Sequence, residues 1–279
     1  MPRFRFFYLL LYEKKSSISM IKAVFFDIDG TLVSFKTHKL PDSTVRALDL
    51  LREKGIKVFI ATGRQLQSIN NLGTQEFDGY VTLNGGYCLA GKDKVIYKHN
   101  IPSEDIEALI RYQENEEAFP CALVEEDGIY QNYVDDSVRQ LYDMLDFPHP
   151  PLRPLRGNGG KEVYQLIAFF SPGHEERIMS VLPHCEATRW NPLFADVVPR
   201  GSSKAVGIDK IIEYYGISLH ETMAFGDGGN DMAMLRHAGI GVAMANGAPE
   251  TLAAADLTAP SNEEDGVAQI LSRWFPPNT

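Results

Sequence analysis

Cysteine is scarce in this chain, and it is placed for neither of its usual structural uses. Cys88, Cys121 and Cys185 are odd in number and widely spaced, with no C-x-x-C pair among the 279 residues. Neither a disulfide framework nor a zinc site is indicated, and a reducing, cytoplasmic setting is expected. Positive charge is also short. Lys and Arg number 27 against 37 Asp and Glu, a formal net charge of −10, which disfavours nucleic acid and anionic membrane as partners. Repeats and low-complexity tracts are missing. So are long apolar runs: the stretch at 6–12 is far too short to span a bilayer and is broken by Glu13-Lys14-Lys15. Residues 1–20 are therefore expected to be an extension outside the fold, disordered or not native, with an export signal as the alternative reading. What is present, 44% hydrophobic and 23% charged residues, is that of a soluble globular protein of one large or two ordinary domains.

The first part of the chain alternates strand and helix. Apolar runs at 23–26, 57–61 and 80–83 read as buried strands. Residues 41–54 read as a helix with Val45, Leu48 and Leu51 on one stripe and Gly55 as its stop. Strands separated by a helix imply right-handed crossovers and a parallel sheet. From about residue 85 the pattern changes. Hairpin-like pairs at 87–98 and 121–133, the second around Asp127-Gly128, lie among helices at 103–117 and 135–145. Ser103 is the expected N-cap of the first of these helices. A strand at 163–170, a helix at 172–182 and a strand at 187–191 complete an inserted α+β unit. Strand–helix alternation resumes after Asp196. The expected division is a core of 21–85 and 193–279 with an inserted domain at 86–192. Open sheets of this kind bind ligands at the C-terminal ends of their strands.

Four constellations lie at such ends. The first is Asp27-Ile28-Asp29-Gly30-Thr31, directly after Ala23-Val24-Phe25-Phe26. Alternation along an extended chain points both carboxylates one way, suited to holding a hard cation and attacking an electrophile beside it. Taken alone, D-x-D reads equally well as an acidic turn. The second is Thr62-Gly63-Arg64, with a hydroxyl and open backbone N–H groups for a phosphoryl oxygen. The third is Lys204, which in isolation reads as an exposed surface lysine. The fourth is Gly226-Asp227-Gly228-Gly229-Asn230-Asp231. Asp231 could merely cap the next helix. Four carboxylates converging at neighbouring strand ends would repel one another, and a divalent cation relieves that cost; all-oxygen ligands suit Mg²⁺.

The order D-x-D-G-T, T-G-R, Lys, G-D-G-x-N-D resembles the haloacid dehalogenase superfamily of phosphotransferases. The insert between the second and third motifs, with Asn84-Gly85-Gly86 at its entrance, resembles the Cof-type branch, subclass IIB, and within it the sugar (hexose) phosphate phosphatases. That resemblance implies a Rossmann-like parallel core with an α+β cap of the C2B type. It also implies Asp27 as nucleophile, Asp29 as general acid and base, and Thr62 and Lys204 on the transferring phosphoryl group. Mg²⁺ would be held by Asp27, the Asp29 carbonyl and Asp227, with Asp231 through water or from behind. Gly63, Arg64, Asn84, Gly85 and Asn230 would meet the substrate, a small phosphorylated metabolite. The chain would act as a monomer or weak homo-oligomer. Ala195-Asp196-Val197 departs from the Leu-Glu-Ile more common in the branch and leaves open how Asp196 pairs with the core. Trp190 and Arg189 could offer a stacking face and a charged donor to a sugar. Met232, Met234 and Leu235 read as core. A phosphosugar mutase and a non-catalytic phosphate-binding module are the alternative functions.

Overall fold

The computed structural model describes residues 21–189 and 191–277. The predicted extension at 1–20 and the stacking role given to Trp190 lie outside the described residues.

Chain order is β1 (Ala23–Phe26), α1 (Asp42–Glu53), β2 (Lys57–Ala61), β3 (Gly79–Thr82), β4 (Tyr87–Ala90), β5 (Lys94–Lys98), α2 (Ser103–Asn115), β6 (Cys121–Glu125), β7 (Ile129–Gln131), α3 (Asp136–Leu145), β8 (Val163–Ala168), α4 (Glu175–Met179), β9 (Cys185–Thr188), β10 (Ala195–Pro199), α5 (Lys204–Tyr215), β11 (Thr222–Gly226), α6 (Met232–His237), β12 (Ile240–Met244), α7 (Pro249–Leu252), β13 (Leu257–Ala259) and α8 (Gly266–Trp274). Eight strands form the core sheet in the order β13-β12-β11-β1-β2-β3-β4-β5. The first six run parallel, and β4 and β5 close one edge antiparallel. This is the expected α/β core.

β1 shows why the sheet is covered on both sides. Val24 and Phe26 pack into the cluster that includes Leu48 and Leu51 of α1 and Leu271 of α8. Ala23 and Phe25 pack with Ile208 and Ile211 of α5. Period-two alternation sends successive side chains to opposite layers, so a strand with both layers covered must be apolar throughout. β1 sits between β2 and β11. The chain therefore leaves it in one direction and returns on its other side, the arrangement that opens a crevice at the strand tips.

A second, antiparallel sheet in the order β7-β6-β8-β10-β9 forms the inserted unit, with α2 and α4 against one face. Sheet membership shifts the expected boundaries at both ends. β4 and β5, placed in the insert from sequence, continue the core sheet because β4 pairs with β3 from Gly79↔Ala90 to Thr82↔Tyr87. β10, placed in the core, pairs with β8 and β9 of the insert. Two local expectations also change. Ser103 is the first residue of α2 rather than its cap, the cap position being Pro102 without a side-chain bond. The strand expected at 187–191 lies at Cys185–Thr188.

The insert leans on the core through its β6–β7 turn. Gln65 Nε2 donates to the Glu125 carbonyl at 2.6 Å. Tyr87 Oη and Lys98 Nζ each donate to the Glu126 carboxylate at 2.8 Å. No helix among the described residues is long and apolar enough to cross a membrane.

Candidate active site

Three neighbouring strand tips assemble the site. Asp27 follows β1, its N–H still in the ladder at 3.0 Å from the Phe225 carbonyl. Thr62 follows β2, and Asp227 follows β11. Gly30, at φ +87°, turns the chain away so tightly that a Cβ there would lie 2.1 Å from Asp227 Oδ2; only glycine allows Asp227 to come this close. Thr31 Oγ1 then donates to Asp227 Oδ1 at 2.9 Å. Asn246, in the turn after β12, donates to the Gly30 carbonyl at 2.8 Å and to Asp227 Oδ2 at 3.3 Å.

Lys204 is no surface lysine. As the first residue of α5 it is fully buried, with Nζ 2.7 Å from Asp27 Oδ1 and 2.5 Å from Asp231 Oδ1. Its helix is capped by Ser203, whose hydroxyl accepts from Val206 N. Gly85, expected at the substrate, instead sets this placement. Its φ is +93°, and a Cβ would fall 2.0 Å from the Ser203 carbonyl, so the turn after β3 packs directly onto the start of α5. Gly85 and Lys204 are not exposed to the cavity; Lys204 fixes the two aspartates from behind. Asp231 is likewise committed. Its Oδ2 accepts from the backbone N–H of Asp227 and Gly228 at 2.9 and 2.8 Å. It ties the turn together, with both carboxylate oxygens engaged.

Thr62 Oγ1 accepts from Arg64 N at 3.1 Å, which leaves its own proton for an oxygen in the cavity. Arg64 forms a two-pronged ion pair with Asp29, Nε to Oδ2 at 2.6 Å and Nη2 to Oδ1, and stacks 4.3 Å from the Phe147 ring. The predicted acid/base and the predicted substrate arginine are thus bound to each other. Asn84 lies behind the cavity wall. Its Oδ1 accepts from Asn230 Nδ2 at 3.0 Å, and its Nδ2 donates to Gln165 Oε1 and Asp196 Oδ2, both at 3.2 Å. Gln165 Nε2 also donates to Asp196 Oδ1 at 2.9 Å. This buried cluster answers how Asp196 meets the core: through Asn84. Gly63 packs against the same cluster, where a Cβ would stand 3.2 Å from Asn84 Nδ2.

The charge balance favours binding of a cation here. Asp27, Asp227 and Asp231 bring one carboxylate oxygen each within 4.8 Å of the others. Burial drives the Asp27 carboxyl well above its usual range; Lys204 pulls it back, while Asp231, Asp227 and Asp29 add to the rise. Burial, then Asp231, pushes Asp227 up to about 7. Lys204 is held charged by Asp231 and Asp27 against its own desolvation. One ammonium does not neutralise three clustered carboxylates, and the all-oxygen donor set fits a hard divalent ion.

Asp27, Asp29, Thr62–Arg64 and Asp227–Asp231 open onto one cavity of about 710 Å³ between core and insert. Arg189 reaches it too, but its guanidinium is spent on Glu175 and the Phe194 and Phe170 carbonyls, so it is no free donor for a sugar. Met234 and Leu235 are buried as expected, whereas Met232 lines the cavity. Sequence reasoning missed Asn246 and Gln165. Asn246 carried a usable signal, a polar residue just past an apolar strand, as Asp27 and Asp227 are. Gln165, inside a strand, carried none.

Comparison with known proteins places the chain in a family. Residues 24–271 match the family of haloacid dehalogenase-like hydrolases. The solved subclass IIB sugar phosphatase BT4131 is 43% identical, covers 91% of this chain and 98% of its own, and superimposes with a TM-score of 0.84. A phosphatase from Bacteroides thetaiotaomicron, BT1666, is 37% identical over 91% of this chain and 95% of its own, with a TM-score of 0.84. The 5-amino-6-(5-phospho-D-ribitylamino)uracil phosphatase YitU of Bacillus subtilis is 29% identical over 89% of this chain and 96% of its own. The chain belongs to the haloacid dehalogenase-like hydrolases and is a phosphatase acting on small phosphorylated substrates.

Proposed function

We propose that this chain hydrolyses sugar phosphates with the help of Mg²⁺, through a phosphoryl-enzyme intermediate on Asp27. The observation that carries the reading is Asp27 itself. One of its oxygens is pinned by the buried Lys204, and its carboxylate opens onto a cavity large enough for a phosphosugar.

In the first half-reaction an Asp27 oxygen bonds to phosphorus as the bond to the leaving alcohol breaks. Thr62 donates to a phosphoryl oxygen, and the strand-tip N–H groups can do the same. Asp29 gives its proton to the leaving oxygen. To do so it must carry a proton and release an Arg64 N–H, since a carboxylate clasped by a guanidinium offers only lone pairs. In the second half-reaction Asp29 takes a proton from water, the water oxygen bonds to phosphorus, and Asp27 is freed. Asp27 and Asp227, with the Asp29 carbonyl, would hold Mg²⁺; when bound, the ion neutralises the anionic phosphate beside these carboxylates.

The test is inorganic phosphate release from a panel of phosphosugars, phosphoacids and nucleotides, with Mg²⁺ and with EDTA. Mg²⁺-dependent release strongest on hexose or pentose phosphates is the expected result. Isomerised phosphosugar with little free phosphate would make the protein a mutase. Release that EDTA leaves untouched would remove the metal from the reading.

Metal binding has a second readout. Protons compete for carboxylates whose pKa values are raised. Asp227, up at about 7, is largely protonated at pH 5 and largely ionised at pH 8, and burial raises Asp27 in the same direction. Saturating Mg²⁺ should therefore raise Tm clearly at pH 8, by about 2.7 kcal/mol of added stability at one hundred times Kd, and far less at pH 5. An equal shift at both pH values would place the ion elsewhere.

A further inference from the structure

The clasp between Arg64 and Asp29 has to loosen without letting go. Asp29 can give a proton to a leaving oxygen only after one of its oxygens has parted from the guanidinium. The other oxygen must stay bound if the carboxyl is to remain aimed. What holds Arg64 at that moment is whatever does not depend on Asp29. Among the described residues two contacts of the guanidinium qualify. Nη1 donates to the Ser68 carbonyl at 3.1 Å, and the guanidinium carbon lies 4.3 Å from the centre of the Phe147 ring.

Ser68 belongs to the core and follows Arg64 by four residues. Phe147 belongs to the insert. The end of α3 sets its place: Asp146 takes the left-handed conformation at φ +54°, and Phe147 N donates back to the Tyr142 carbonyl at 2.9 Å, the bond that turns a chain out of a helix. The ring then packs against the buried cluster of Val138, Leu141, Tyr142, Phe169 and Phe194, so it travels with the insert. It is half-buried and lines the cavity. The Arg64 side chain is only 7% exposed, and a desolvated cation is held by an aromatic face more strongly than one at a surface. Leucine would pack here as well; what phenylalanine adds is attraction for the cation.

We propose that Phe147 is a positioning residue: seated on Arg64, it keeps the guanidinium on one Asp29 oxygen while the other carries the proton, so that the acid of the core is aimed only when the insert is in place. This rests on the phosphoryl-transfer reading above and deepens it.

The test uses the leaving group. A sugar alkoxide needs the proton from Asp29, whereas p-nitrophenolate departs as a stable anion without it. The readout is kcat/KM, which covers only the steps up to release of the alcohol and so only the half-reaction in which Asp29 is the acid. On a hexose 6-phosphate, Phe147→Leu should lose about tenfold, the scale of one desolvated cation–π contact. On p-nitrophenyl phosphate it should match wild type. Phe147→Tyr, which restores an aromatic face, should recover the hexose phosphate activity. In an Arg64→Ala background, adding Phe147→Leu should cost nothing more, because the two residues act as one unit.

Equal losses on both esters would mean that Phe147 serves binding or folding. A further loss in the Arg64→Ala background would mean that it touches the substrate directly. A Phe147→Tyr variant as slow as Phe147→Leu would mean that the aromatic face is not what matters. Each of these overturns the proposal and leaves the sugar phosphatase reading intact. Wild type that cleaves p-nitrophenyl phosphate but no hexose phosphate would instead defeat the sugar reading, and the proposal with it.

Discussion

Asp27→Asn should abolish phosphate release, by roughly four orders of magnitude or more, the scale on which removal of a nucleophile is felt, while the protein stays folded and gains stability. The loss follows from chemistry: a neutral amide oxygen is a poor nucleophile, and every other group in the site acts on a phosphoryl group that Asp27 must first accept. The gain follows from electrostatics. Burial is the largest influence on the Asp27 carboxyl and drives its pKa up, with Asp231, Asp227 and Asp29 pushing the same way. A carboxyl whose folded pKa lies above its unfolded value costs stability once pH exceeds the unfolded value, about 4, and the cost grows until the folded pKa is passed. Asparagine removes that charge and keeps the shape. The metal-free variant should therefore melt higher than metal-free wild type at pH 8, with the difference shrinking toward pH 4. Phosphate release, Tm at both pH values and intact-mass detection of phosphorylated enzyme with slow substrates check the three parts. Residual turnover within tenfold of wild type would mean that Asp27 is not the attacking group.

The machinery at the strand tips was legible because it obeys local rules. Apolar runs ended in D-x-D, T-G-R and G-D-G-x-N-D, and strand-end placement follows from period and order alone. Lys204 was legible only as part of that set; by itself it read as a surface residue, and its complete burial depends on Gly85 admitting the Ser203 backbone, a contact between distant segments. The Arg64–Asp29 pair, 35 residues apart in sequence, joins two correctly located motifs whose side chains no pattern could pair. The insert was harder. The β4–β5 hairpin was visible as a hairpin, but hydrophobic alternation does not say which sheet a hairpin extends, and pairing with β3 decided it. β10 went to the insert because it lies between β8 and β9, information carried by register and not by composition. The apolar stripe of α3 can be read from its sequence; that Val138, Leu141 and Tyr142 pack with Phe169 and Phe194 is a contact between distant segments that no local pattern carries.

Replacing Lys204 by methionine should be the most destabilising single change in the site, and its cost should depend on pH. Methionine fills similar space but leaves Asp27 and Asp231 facing each other, buried, without the cation that bridges them at 2.7 and 2.5 Å. Removing one partner of a buried ion pair costs about 3–5 kcal/mol, and here one lysine serves two aspartates. At about 2–4 °C per kcal/mol for a chain of this size, a fall in Tm on the order of 10 °C is expected near neutral pH. The sign of the pH dependence follows from the charges. Lys204 has its pKa raised by Asp231 and Asp27, so in wild type its stabilising contribution is complete throughout the neutral range and is lost only as pH rises beyond its ordinary value of 10.5. In the variant Asp27 and Asp231 lose their counter-charge, and the Asp27 carboxyl, already raised by burial, climbs further. As pH falls Asp27 can take up a proton and relieve the repulsion; as pH rises it cannot without cost. Urea unfolding should show a gap between wild type and Lys204→Met that widens from pH 5 to pH 8. Adding Asp231→Asn should recover part of the lost stability by removing one of the two stranded charges, yet should restore little phosphate release, because Asp27 would still lack the ammonium that holds its Oδ1. A gap that does not change with pH would mean that packing, and not charge, is what Lys204 contributes. Full rescue of activity by the second substitution would mean that Lys204 serves Asp231 and not the nucleophile.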